Sequence, residues 1–100
     1  MSGARTELEL ILTKLSAKAG LNPVELGNSI VLEGKSVKIT LDENALRIES
    51  STGELEVGED EIQEVRFFRK TNHCLLKLKN GVMRILPDEK DFRFFVKLRR

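Results

Sequence analysis

This chain has one histidine and one cysteine, and they stand side by side as His73-Cys74. A nucleophile and its base must reach each other, so their setting decides whether they can do chemistry. They open a run, His73-Cys74-Leu75-Leu76-Lys77-Leu78-Lys79, in which Cys74, Leu76 and Leu78 alternate with His73, Lys77 and Lys79. That is the period of a strand with one apolar face, and neighbours on a strand point to opposite sides. The expectation is a buried, inert thiol and a solvated imidazole that cannot act together. The sequence holds no His/Cys cluster at metal-ligand spacing and no glycine-rich phosphate loop; its seven glycines are scattered at turns. The residues therefore point to a non-catalytic protein with no cofactor, no metal and no small-molecule substrate.

The remaining chemistry is charge. Net charge is +1, but it is unevenly spread. Residues 1–61 carry six basic and twelve acidic side chains, and residues 62–100 carry eleven basic and four acidic. A basic half of net +7 suits an acidic partner, or neutralises the acidic half inside the fold. Arg66, Arg69, Lys70, Lys77, Lys79 and Arg84 fall on strand-like runs where alternation builds a basic stripe. Arg66, Arg69, Lys77, Lys79 and Arg84 are the candidate nucleic-acid contacts. Against this stands Glu54, Glu56, Glu59, Asp60 and Glu61 just upstream, which are expected to neutralise the stripe, and the scarcity of aromatics: five Phe, no Trp and no Tyr.

These residues must be positioned by elements legible in order. One hundred residues make one domain. We divide it into residues 1–28, a helix and connector, and residues 29–100, a β-rich body. Arg5–Ala19 reads as an amphipathic helix with Leu8, Ile11, Leu12, Leu15 and Ala19 in one stripe, Thr6 as candidate N-cap and Gly20 as the C′ stop. Leu10 lies off that stripe. Pro23-Val24-Glu25-Leu26 reads as a helical turn. Seven strands follow, around Ser29–Glu33, Lys35–Leu41, Ala45–Ser51, Glu54–Val57, Ile62–Arg69, His73–Lys79 and Val82–Leu86. Ile62 and Val65 are out of phase for one flat face, so a bulge is expected near Gln63-Glu64. Phe67 and Phe68 point to opposite faces, one to the core and one under a helix. Asn80-Gly81 marks a type I′ hairpin turn. Pro87-Asp88 then opens a closing helix to Arg100, with Phe92, Phe95 and Val96 as its stripe and Arg93, Lys97, Arg99 and Arg100 as its cations.

Seven short strands and a final amphipathic helix resemble the pleckstrin-homology-like superfamily, in its GRAM and bacterial pleckstrin-homology forms. The resemblance rests on the strand pair around Gly34, on Lys38-Ile39-Thr40-Leu41 before Leu46-Arg47-Ile48, on Ile62-Gln63-Glu64-Val65, on Leu76-Lys77-Leu78-Lys79-Asn80-Gly81, and on a helix with Phe92 and Phe95. It implies a mainly β (α+β) fold: a seven-stranded antiparallel bent sheet or barrel with an N-terminal amphipathic helix and a C-terminal capping helix. It implies a binding role. Lys35, Lys38 and Arg47 occupy the region where such domains hold phosphoinositides, but the arginine usual on the second strand is missing and Glu33 intrudes.

The expected function is a non-catalytic interaction module, an adaptor or assembly domain. A protein partner or a second copy is placed first, through the stripe of Leu8, Leu10, Ile11, Leu12 and Leu15. Nucleic acid is the alternative, and an acidic membrane surface comes third. A single Cys suits a reducing compartment. No apolar run approaches the roughly 20 residues of a membrane span, and Met1-Ser2-Gly3-Ala4-Arg5-Thr6-Glu7 lacks the apolar core of a signal peptide. The expected location is cytoplasmic.

Overall fold

The structure is a computed structural model and describes residues 3–99. Helix α1, Gly3–Ala19, is followed by nine strands: β1 Val24–Leu26, β2 Ser29–Glu33, β3 Lys38–Leu41, β4 Ala45–Ser50, β5 Gly53–Gly58, β6 Ile62–Phe68, β7 His73–Leu78, β8 Gly81–Asp88 and β9 Asp91–Leu98. A short 3-10 turn, Glu59–Glu61, joins β5 to β6. β1 to β5 form one antiparallel meander and β6 to β9 a second. The charge boundary at Ile62 is therefore the boundary between the sheets: the acidic half builds the first and the basic half the second.

Among the described residues the fold is mainly β, but with nine strands rather than seven, in two sheets, and with its one α-helix at the N-terminal end. The expected closing helix is β9. Phe92, Phe94, Val96 and Leu98 alternate along it with Arg93, Phe95 and Lys97, and it pairs with β8 from Gly81↔Leu98 to Asp88↔Asp91. The run Phe94-Phe95-Val96 satisfies both periods, which made the helical stripe of Phe92, Phe95 and Val96 plausible. Aromatic and β-branched residues tip such a run towards strand. Of the cations assigned to that helix, Arg100 lies outside the described residues, as do Met1 and Ser2 at the other end. The helical turn expected at Pro23–Leu26 is instead the edge strand β1, paired to β2.

The inner faces of both sheets and the stripe of α1 form one core. Leu8, Ile11, Leu12, Leu15 and Ala19 are buried with Leu32, Ile39, Leu41, Leu46, Ile48 and Val57 of the first sheet and Cys74, Leu76, Leu78, Met83, Ile85 and Phe92 of the second. Each such side chain contributes about 1.5–3 kcal/mol when fully withdrawn from water. The helix begins before Thr6, so Thr6 is interior and not its cap. Gly20, at φ +77°, ends it as expected, with Leu21 N donating to the Ser16 carbonyl at 2.8 Å. Arg5 anchors the helix start to the first sheet by donating to the carbonyls of Asp42 at 3.2 Å and Asn28 at 2.7 Å.

The β8–β9 turn fastens the other end. Lys90 N donates to the Ala19 carbonyl at 2.8 Å, Lys90 Nζ donates to the Gly20 carbonyl at 2.7 Å, and Lys35 N donates to the Lys90 carbonyl at 3.0 Å. Beside it the Asp91 carboxylate accepts from Ser36 N and Val37 N, each at 3.1 Å, and from Ser36 Oγ at 2.5 Å. One turn thus ties α1, the β2–β3 loop and the second sheet together.

The β7–β8 hairpin exists, shifted by one residue from the expected turn. Leu78 pairs with Gly81, so Lys79-Asn80 is the two-residue loop. Gly81 stands within β8 at negative φ, for a different reason than turn geometry. A Cβ there would lie 2.3 Å from the Lys97 carbonyl oxygen and 2.9 Å from Leu98 Cα. Glycine allows β9 to close on β8 at that point.

Candidate nucleic-acid interface

The second sheet turns one face to the core and α1. The other carries the alternate residues of each strand, and the register sets their neighbours. Glu64, Lys77, Val82 and Lys97 form one cross-strand row; Arg66, Leu75, Arg84 and Phe95 form the next. Beyond them Phe68 pairs with His73 and Leu86 with Arg93. Five cations (Arg66, Lys77, Arg84, Arg93 and Lys97) share this face with Glu64, and Asp88 and Asp91 continue the same phase at its β8–β9 end. The bulge between Ile62 and Glu64, near the expected place, resets the phase of β6 so that Arg66 joins the row.

The cations are not neutralised by the acidic half. Glu64 pairs with Arg66 and lies 3.9 Å from Lys77 Nζ. Among the described residues no ion pair joins the halves, and Arg84, Arg93 and Lys97 have no carboxylate partner. Glu54 and Glu56, expected to cancel the stripe, lie 3.6 Å from the Arg47 guanidinium on their own sheet. Glu61 instead accepts from Gly58 N at 2.8 Å.

Two aromatic rings interrupt the charge. Phe95 is 51% exposed and Phe68 38%. The Arg93 guanidinium lies over the Phe95 ring, 5.7 Å from its centroid. Phe68 stacks on His73 with centroids 4.6 Å apart. Phe67, its neighbour in sequence, packs against the core, and Lys14 Nζ lies 5.5 Å over it. One of Phe67 and Phe68 is expected under a helix; the element expected to be that helix is a strand, and the outward ring is Phe68.

His73 and Cys74 take opposite sides. His73 Nδ1 hydrogen-bonds Thr71 Oγ1 at 2.5 Å. Burial, and then the nearby Arg84 charge, hold its imidazole below the usual histidine range, so it is neutral near pH 7. Cys74 is fully buried, and burial pushes its thiol up to about 12.

The other candidate residues are placed as follows. Arg69 lies on the β6–β7 turn and Lys79 on the β7–β8 turn, at opposite ends of the face carrying Arg66, Lys77 and Arg84. Arg93, Phe95 and Lys97 are expected on a closing helix and stand instead on this sheet face; the period-2 alternation of β9 is the signal for them. Leu8, Ile11, Leu12 and Leu15 are consumed by the chain's own core, and of that set only Leu10 is exposed, at 61%. Of the lipid-site candidates, Lys35 stands on the β2–β3 loop, and Lys38 sits between Glu33 and Glu49 on neighbouring strands. Arg47 is ringed by Asp42, Glu54 and Glu56. Lys35 and Lys38 line one surface depression with Glu33 and Glu49, and Arg47 is not part of it.

No described helix is long and apolar enough to cross a membrane. Compared with known proteins, the chain matches no family model, no curated protein and no solved structure.

Proposed function

We propose that this protein is a non-catalytic module that binds nucleic acid through the outer face of β6 to β9. The observation that supports it is the lattice of five cations on one sheet face, of which only Arg66 and Lys77 are ion-paired, both to Glu64. Neighbouring strands are about 4.8 Å apart, so the cations can follow a phosphate backbone laid across the sheet. Each neutralised phosphate releases counterions, which gives affinity and salt dependence without sequence preference. Nucleic acid precedes the protein partner because the apolar stripe of α1 is buried within the chain and the basic face has no ion pair with the acidic half among the described residues. The pleckstrin-homology-like resemblance, without its closing helix, rests on antiparallel meander order alone and adds nothing to this choice.

The test is binding of a labelled mixed-sequence 12-nucleotide single strand, measured by anisotropy at several salt concentrations. With about four net charges engaged, the logarithmic salt slope is expected near −3, a loss of roughly 50-fold between 50 and 200 mM. Changing Arg84, Arg93 and Lys97 together to Gln is expected to bring the slope near −1 with the fold intact. A parent that does not bind, or a triple variant that binds as the parent does, refutes the proposal.

A second reading, a protein partner, is supported by β1. This edge strand exposes Val24 and Leu26 on one side and has its second edge open, a surface suited to strand addition. It lies on the first sheet, so losing it leaves the basic face untouched.

A further inference from the structure

We infer that the site takes unpaired bases, and so selects single-stranded over double-stranded nucleic acid, by stacking them on Phe95 and on the Phe68–His73 pair. This rests on the nucleic-acid reading above and adds a ligand class to it.

A charge lattice alone does not call for exposed rings. Phe68 and Phe95 expose large apolar area in the midst of solvated cations, where a Lys or Thr would satisfy the strand equally well. Their placement gives them a use. Phe68 belongs to the edge strand β6 and Phe95 to the opposite edge strand β9. Three strand spacings, about 14 Å, separate those edges. The interval between is filled by Leu75, Arg84 and Leu86, with Arg66, Lys77, Arg93 and Lys97 around it. A chain crossing the strands meets a ring, a cationic apolar floor, and a second ring.

Each ring is backed by a planar partner. Arg93 covers part of Phe95 at 5.7 Å, and His73 lies on Phe68 with the planes 25° apart. A base can stack on a ring so supported, and guanidinium and imidazole planes extend the platform. Every base has a π face, so such stacking tolerates any sequence.

The shape excludes the duplex as the preferred ligand. A B-DNA major groove is about 12 Å wide and admits a helix or a two-stranded ribbon. Four strands side by side do not enter it. A duplex can meet this face only through its phosphates, with its bases withheld from the rings.

The experiment uses the full chain and four probes: a 12-nucleotide single strand as DNA and as RNA, the DNA duplex of the same sequence, and inorganic polyphosphate as a charge-only ligand. The variants are Phe95→Leu and Phe68→Leu, which keep an apolar strand residue, and Phe95→Tyr, which keeps the ring. Thermal melts establish that each variant folds. Either single strand is expected to bind at least tenfold tighter than the duplex. Each Leu variant is expected to lose roughly tenfold for the single strand and nothing for polyphosphate, and Phe95→Tyr to retain parent affinity. Equal affinity for single strand, duplex and polyphosphate, or Leu variants that bind the single strand as the parent does, would overturn the stacking inference while leaving the electrostatic reading standing. Failure to bind any of the four probes would overturn both.

Discussion

The Phe68 ring stacks on the imidazole of His73 across the β6–β7 pair, with centroids 4.6 Å apart. The two are cross-strand partners in register, so the strand pairing itself brings the rings together. The contact puts the only histidine of the chain on the same outer face as Arg84, whose charge disfavours a second positive charge nearby.

That setting fixes the direction of a pH response. The folded-state pKa of His73 lies below the unfolded value near 6.5. The unfolded chain therefore binds the proton more readily, and stability is full above about pH 6.5 and declines as pH falls from there through the folded pKa. The groups facing the imidazole are Phe68, Thr71 and Arg84. An NMR titration of the imidazole is expected to show a midpoint below 6.5, and Arg84→Gln is expected to raise it.

Asp91 behaves in the same sense at lower pH. Burial would raise its carboxyl, but the hydrogen bonds from Ser36 Oγ and from the backbone N–H groups of Ser36, Phe92 and Val37 outweigh that and hold it below 3.8. Its stabilising effect is present above about pH 3.8 and is lost as pH falls through the folded pKa. In Asp91→Ala, which removes the clasp on the β2–β3 loop, the melting temperature is expected to fall at pH 7 and to change less than the parent's on acidification from pH 4 to pH 2.

The helix α1 separates core from surface within two residues. Leu12 is 1% exposed and Leu10 61%. Leu12→Ala is expected to cost about 2–5 kcal/mol in denaturant unfolding. Leu10→Ala is expected to stay within about 0.5 kcal/mol. Sedimentation is expected to give the same mass for parent and Leu10→Ala.

Gly81 carries the close approach of β9 to β8. Gly81→Ala places a methyl group against the Lys97 carbonyl and Leu98 Cα. The strands must separate to accept it, and a destabilisation of about 1–3 kcal/mol is expected. Chemical denaturation measures it directly.

How much of this was legible in the sequence depended on the element. The helix stripe, the stop at Gly20, the irregularity of β6 and the buried phase of Cys74 each had one period and one reading. Val24-Glu25-Leu26 was too short to show a period, and its strand character comes from pairing with β2. The β9 segment was read as a helix because Pro87-Asp88 mimics a helix entry and Phe94-Phe95-Val96 fits both spacings. In the fold Pro87 lies within β8 opposite Phe92, and Glu89-Lys90 makes the turn. That one segment decided the site. As a helix it would have carried Phe95, Arg93 and Lys97 away from Arg66, Lys77 and Arg84; as a strand it sets them beside Arg84 in a common face. The fate of the acidic residues was equally hidden, because only the register of β4 and β5 brings Glu54 and Glu56 to Arg47.

We propose that nucleic acid is held on the outer face of the second sheet. The most direct measurement is amide and side-chain chemical-shift mapping during titration with a 12-nucleotide single strand at low salt. Shifts are expected to concentrate at Arg66, Phe68, Leu75, Lys77, Arg84, Arg93, Phe95 and Lys97, and the signals of β1 to β5 to stay in place. Shifts centred on the first sheet, or a spectrum unchanged by saturating single strand, would contradict it.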